Sequence, residues 1–210
     1  MDTNLICVMK NFKHSKNSSR LEDGVSSATG TIAGHEYVDL GLSVRWATCN
    51  IGADSPEDYG HYYAWGEISP KSSYTENNSK TYKKDYGDIG GNASYDAARA
   101  NWGDTWRLPT VGEIYELVDN CTKKWTTMNG VRGCRFKSKV NGNSVFLPAA
   151  DYCEDSLPDV ADGGAYFWSS TPFHSPGMDC AYFFDYFSFD PEANYHYRFI
   201  GMSIRPVSEW

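Results

Sequence analysis

The segment WRLPTVGEIYELVDNC, Trp106 to Cys121, carries the clearest helical signal in the chain. Thr110 is a good N-cap, and Glu113 three residues on completes a capping box. Ile114, Leu117, Val118 and Cys121 then fall at i, i+3, i+4 and i+7, on one face of a helix. Pro109 keeps the helix from starting earlier. Such an amphipathic helix needs a surface for its apolar stripe, and a sheet is expected there. A shorter helix is predicted in SYDAARANWG, from Ser94, where Ala97, Ala98 and Ala100 favour it and Gly103 stops it.

The remaining signals are those of short strands. In EYVDLGLSVRWATCNIG, residues Tyr37, Val38, Leu40, Leu42, Val44 and Trp46 recur mostly at every second position, with a turn or bulge at Gly41. WTTMNGVRGCRFKS places an Asn-Gly turn between two strand-like runs, a hairpin signal. VNGNSVFLPAA, AYFWSST and MSIRPV add further strands. SPEDYGHYYAWGEISP reads as an aromatic loop, and the polar insert from Lys71 to about Asn92 is expected to be exposed. Residues 1–35 read as a flexible tail, leaving 36–210 as one domain. Two early helices followed by many short strands predict an α+β domain.

Charge narrows the partners. The 210-residue chain has a formal net charge of -8 and a pI near 5.1. Between Lys139 and Arg198 there is no Lys or Arg, while nine Asp and Glu residues fall in that interval. A face built from it repels phosphate backbones, so nucleic acid is not an expected partner. No apolar run approaches the roughly 20 residues of a membrane span. The first twenty residues lack the apolar stretch of a signal peptide. Six cysteines, at 7, 49, 121, 134, 153 and 180, form no C-x-x-C pair. Their even number permits disulfides, but scattered buried thiols are the favoured reading.

Near the C-terminus stands AYFFDYFSFDPEANYHYRFIG, Ala181 to Gly201. It is crowded with aromatics and has no Lys, Gln, Trp, Leu or Val. A core would favour Leu and Val. A mix of Tyr, Phe, Asp, Ser, His and Asn is instead what a selected binding surface uses, because rigid rings give contact area and small polar groups give adaptable hydrogen bonds. Alternation sends Phe183, Asp185 and Phe187 to one side of a strand and Phe184, Tyr186 and Phe189 toward the core. Together with Tyr195, His196, Tyr197 and Phe199 the first set is expected to share one exposed face. The competing reading is an aromatic strand pair buried in a sheet.

Several motifs resemble known families. WRLPTVGEIYEL looks like the R-L-P-T-x-x-E-W/F segment of formylglycine-generating-enzyme-type domains. EYVDLGLSVRWATCNIG, DYGHYYAWGE, FLPAADY, YFWSSTP and GMSIRPV resemble the major paralogous domain family first described in Fibrobacter succinogenes and abundant in gut Bacteroidetes. The likeness covers about Glu36 to Val207. It implies a C-type-lectin-like fold with two helices flanking a small twisted antiparallel sheet, long loops, and first and last strands paired. Arg107, Arg205 and residues Trp46, Trp65, Trp102, Trp106 and Trp168 then read as structural.

In relatives targeted by diversity-generating retroelements, the C-terminal region is a variable repeat. Randomising the adenines of AAC or AAT codons cannot yield Lys, Gln, Glu, Met or Trp. Against the family frame, the variable and hence ligand-binding positions are Phe173, His174, Ser175, Cys180, Phe183, Asp185, Phe187, Tyr195, His196, Tyr197, Phe199 and Ile200. The implied function is ligand binding, to a protein or a glycan, as a cell-surface, secreted or virion-associated adhesin or a phage receptor-binding module. Alternatives are a catalytic formylglycine-generating-enzyme-like protein or a pilus-type assembly subunit. Catalytic relatives bind copper through a cysteine pair, and the surroundings of Cys153 and Cys180 do not match that motif. No nucleophile elbow, HExxH, P-loop or dinucleotide fingerprint occurs. C-type lectin calcium signatures are missing too. The chain is therefore read as a non-enzyme without cofactor or metal.

Overall fold

In the computed structural model, which describes residues 28–155, 163–186 and 192–210, the strongest helical segment folds as Val111–Asn120 (α2). The Thr110 hydroxyl accepts the Glu113 N–H at 3.2 Å, and the Glu113 carboxylate accepts the Thr110 N–H at 2.7 Å. Arg107 grips the same carboxylate through two nitrogens, at 2.6 and 2.9 Å. Ile114, Leu117 and Val118 are buried as the periodicity requires. Thr110→Ala should therefore lower stability by about 1 kcal/mol. An unchanged urea midpoint would show that the Arg107–Glu113 pair holds the helix start alone. The shorter helix is Ala97–Trp102 (α1), capped by Asp96 and stopped at Gly103, whose φ of 70° suits glycine.

The strands form four antiparallel sheets. Gly30–Ile32 (β1), His35–Val38 (β2), Arg45–Ala47 (β3), Trp106–Arg107 (β5) and Val207–Ser208 (β14) make a five-stranded sheet in the order β1-β2-β3-β14-β5. Tyr63–Ala64 (β4), Tyr152–Cys153 (β9) and Gly201–Met202 (β13) make a second, in the order β4-β13-β9. Cys121–Met128 (β6), Val131–Ser138 (β7) and Ser144–Pro148 (β8) make a third, with Asn129 and Gly130 at the expected hairpin turn. Ala165–Ser175 (β10), Met178–Tyr186 (β11) and Glu192–Tyr197 (β12) make the fourth.

This overturns the expected architecture. The described residues are about 40% strand and 11% helix, in several antiparallel sheets with only two helices. That is a β-rich fold, not an α+β, C-type-lectin-like arrangement of two helices flanking one small sheet. The reason lies in segment length. Helical periodicity is sustained over six and ten residues only, whereas glycine and asparagine turns close one short strand after another. Sheets must then cover sheets.

Two further expectations change. Strand begins at Gly30, inside the stretch read as tail, where Gly30 pairs with Tyr37. The 71–92 insert is not simply exposed: Tyr74, Thr81 and Ile89 are buried. Tyr74 donates its hydroxyl to the Tyr62 carbonyl at 2.5 Å, and Thr81 to the Trp65 carbonyl at 2.5 Å.

The β10–β11–β12 sheet lies between two apolar clusters. On one side Phe167, Phe184 and Tyr186 join Ile114, Leu117 and Val118 of α2 with Phe136 of β7. On the other, Trp168, Ala181 and Phe183 join Trp65, Leu108, Ile200 and Met202. Trp46, Trp65, Trp106 and Trp168 are fully buried. Arg205 is wholly buried and has no carboxylate partner among the described residues. It donates to the Asn50 side chain at 2.8 Å, to the Ala47 carbonyl at 3.1 Å and to the Thr48 carbonyl, fastening the loop before β14 to the end of β3.

Candidate functional site

Strand register decides where the aromatic tract points. Residues directly opposite each other share a face of the sheet. Tyr182 faces Tyr195, Cys180 faces both Phe173 and Tyr197, and Phe184 faces Ala193. Phe183 faces Asn194, Asp185 faces Glu192, and Ala181 faces His196. Tyr195 and Tyr197 therefore lie on the side of Phe184, while His196 lies on the side of Phe183. The expected single face does not form, because the two-residue alternation that separates Phe183 from Phe184 also separates His196 from its neighbours.

On the first side, beyond the edge of α2, the rings open to solvent. Phe173 stacks on Tyr195 with centroids 3.9 Å apart and meets Tyr182 edge-on. Tyr197 stacks near Phe199 at 5.5 Å, and Tyr82 of the insert packs edge-on against both. Tyr195 and Tyr197 are each 42% exposed. His174 is exposed and Ser175 half-buried at the β10–β11 turn, Pro176–Gly177.

On the opposite side Phe183 is buried under Tyr166 and Trp168. His196 is half-buried, close to Tyr152 and Phe183. Asp185 is half-buried and accepts from Asn194 at 3.1 Å. Cys180 and Ile200 are buried and present nothing to a partner. Phe187 lies outside the described residues.

Next to the open aromatics is a cleft of about 580 Å³ between the insert and the β10–β11 turn. Lys83, Lys84 and Asp85 form one wall, Phe173 and His174 the other, and Asp179 and Arg198 complete it. Arg198 is 3% exposed. Its Nε donates to the Cys180 carbonyl at 3.0 Å and its Nη1 to the Lys84 carbonyl at 2.8 Å. Its guanidinium lies 4.5 Å from the centre of a Trp65 ring. Burial lowers its pKa, with Asp179 and Asp85 opposing.

None of Arg198, Tyr82, Lys83, Lys84 and Asp85 was singled out by the sequence as a ligand contact. Arg198 had one signal: it ends the long interval without a cation. The insert had none, since a Tyr-, Ser- and Lys-rich stretch reads as solvated until its fold is known.

Three histidines at separate places give the fold an acid sensitivity. His35 stacks on Trp102 at 3.8 Å, and burial lowers the pKa of His35, His61 and His196 below 6.5. For His196, Glu154 and Asp185 oppose the burial. The Tyr197 N–H donates to His196 Nδ1 at 2.8 Å, a bond that needs this nitrogen unprotonated. The unfolded chain thus takes up protons first as pH falls. The stability these groups contribute is present above about 6.5 and is lost as pH drops toward their lowered values. Melting temperatures measured from pH 7.5 to 5 should fall more steeply for the wild type than for His35→Phe or His196→Phe. Parallel curves would refute the assignment.

Cys49, Cys121, Cys134 and Cys180 are free thiols, and burial pushes Cys134 up to about 12 and Cys121 to about 11. For the buried Cys121, Cys134 and Cys180 these are the properties of inert core cysteines, whereas Cys49 is half-buried. Among the described residues no three His, Cys, Asp or Glu side chains are grouped to hold a metal ion. No described helix is long and apolar enough to cross a membrane. Comparison with family models, curated proteins and solved structures finds no match for this chain.

Proposed function

We propose that this protein is a ligand-binding protein, not an enzyme, and that it binds through the open aromatic end of the β10–β12 sheet. The observation that carries this reading is two aromatic groups beside a cleft, the Phe173–Tyr195 stack and the Tyr197–Phe199 pair with Tyr82 edge-on to it, all left partly exposed. Exposed aromatic clusters of this kind mark interaction sites. The partner is a protein or a glycan, and the setting is a surface adhesin or a receptor-binding module.

The resemblance to retroelement-diversified proteins supports the same region as the variable one. Variation there is tolerated at positions that do not carry the core. Phe173, His174, Ser175, Tyr195 and Tyr197 meet that condition, whereas Cys180, Phe183 and Ile200 are buried and Phe199 packs in part against the Trp168 cluster. A near-copy of the DNA encoding residues 173–207 beside a reverse transcriptase gene should differ mainly at the first group.

The binding test is a triple substitution, Phe173→Ser with Tyr195→Ser and Tyr197→Ser, screened with the wild type against arrayed glycans and immobilised bacterial surface proteins. Loss of the wild-type signals with the melting temperature nearly unchanged is the expected outcome. Retention of every signal would remove the aromatic end as the binding site.

A further inference from the structure

We infer that the cleft between residues 83–85 and the β10–β11 turn takes a carboxylate-bearing sugar residue, with Arg198 Nη2 receiving the carboxylate. This rests on the ligand-binding reading above and names the ligand class for it.

Arg198 is almost fully buried, yet among the described residues it forms no ion pair with a carboxylate. Its Nε and Nη1 are spent on backbone carbonyls. Its Nη2 makes no hydrogen bond among the described residues, and unlike Nη2 of Arg205 it is not sealed from solvent. Arg198 lines the cleft, and Nη2 is the guanidinium nitrogen left free to meet a ligand there. A buried guanidinium is costly until an anion pairs with it, and its planar fork suits a carboxylate. The Trp65 ring beneath it and the two carbonyl bonds hold its orientation before any ligand arrives.

The other walls select among anions. Asp85 and Asp179 line the same cleft and repel a phosphate or sulfate, which carries charge on every side. They suit a ligand whose single negative group is accompanied by hydroxyl donors. Phe173 adds an aromatic wall, fixed by its stack on Tyr195, against which a sugar ring can lie. Lys84 is exposed at the rim. The volume is that of a small-molecule site, and the net charge of -8 disfavours an acidic peptide. A uronic or sialic acid meets all of these conditions.

Isothermal titration of the protein with the methyl glycosides of N-acetylneuraminic acid and glucuronic acid tests this, beside methyl glucoside, sodium phosphate and a Glu-rich peptide. The acidic sugars should bind at least ten-fold tighter than methyl glucoside. Lys84→Glu and Phe173→Ser should each weaken them several-fold, and Arg198→Gln should abolish the preference. Because Arg198→Gln removes buried bonds and risks misfolding, the two surface variants decide the question if it fails to fold. Equal affinity for acidic and neutral sugars, or tighter binding of phosphate or peptide, would overturn the inference. If acidic sugars fail while the triple aromatic variant still loses an arrayed partner, the carboxylate assignment falls and the binding face stands.

Discussion

Asp96→Ala should lower the unfolding free energy by roughly 4 kcal/mol or more, a large share of the roughly 5–15 kcal/mol that holds a typical domain folded. Asp96 is fully buried. One carboxylate oxygen accepts from Ala98 N at 2.8 Å and Arg99 N at 3.1 Å, capping α1. The other accepts from Gly91 N at 2.7 Å and Leu108 N at 3.0 Å. A single side chain thus joins the end of the insert, the first helix and the strand leading to α2. Burial pushes its carboxyl upward, and all four N–H groups act in the opposite sense. Bonds to a charged acceptor are worth about 1.5–3 kcal/mol each and do not add fully. Removing the acceptor leaves four donors unsatisfied, those of Ala98 and Leu108 fully buried and those of Gly91 and Arg99 partly so. Asp96→Asn keeps the shape but turns an amide NH2 toward two donors, so about half the loss is expected. Urea denaturation of both variants gives the values, and a loss under 1 kcal/mol for Asp96→Ala would show that water or backbone replaces the carboxylate.

The second large effect separates the two halves of the aromatic tract. Phe184→Ala should cost about 3–5 kcal/mol, as large-to-small changes in packed cores do. Phe184 stacks on Phe167 with centroids 4.6 Å apart and meets Phe136 edge-on at 5.6 Å, with no exposed surface. Tyr195→Ser, eleven residues later in the same tract, should stay within about 1 kcal/mol because its ring is partly in solvent. Thermal melts of the two variants side by side read the contrast. Similar losses would mean that the Phe173–Tyr195 stack is structural and not a binding surface.

Local signals were legible wherever one residue type has one physical use. Thr110 and Glu113 announced a helix start, Gly103 a helix end, and Asn129–Gly130 a hairpin turn. Val38, Leu40, Leu42, Val44 and Trp46 announced buried positions, but the strand their alternation suggested is broken, since β2 ends at Val38 and β3 begins at Arg45. The fold class was not legible, because counting helices says nothing about how many short strands will find partners. Trp46 pairs with Val207 and Tyr63 with Met202, contacts that no local window contains. The missing Leu and Val misled for a different reason. They suggested a surface, yet Phe183 and Phe184 point to opposite sides of a strand that is packed on both. Rings can fill two clusters at once, and composition alone does not tell this from display. The cleft was hidden because its walls come from residues far apart in sequence, brought together by the buried Tyr74, Thr81 and Ile89.

The placement of β14 has a consequence for how the chain is made. Val207 and Ser208 lie between β3 and β5, bonded to both, so the five-stranded sheet has a gap in its middle until they emerge from the ribosome. Until then Trp46 and Trp106 lack their final neighbour, and two open strand edges face each other across an empty slot. Such edges recruit other strands. Without β14 both edges stay open, so a truncation before Val207 should yield aggregates and not a smaller folded unit.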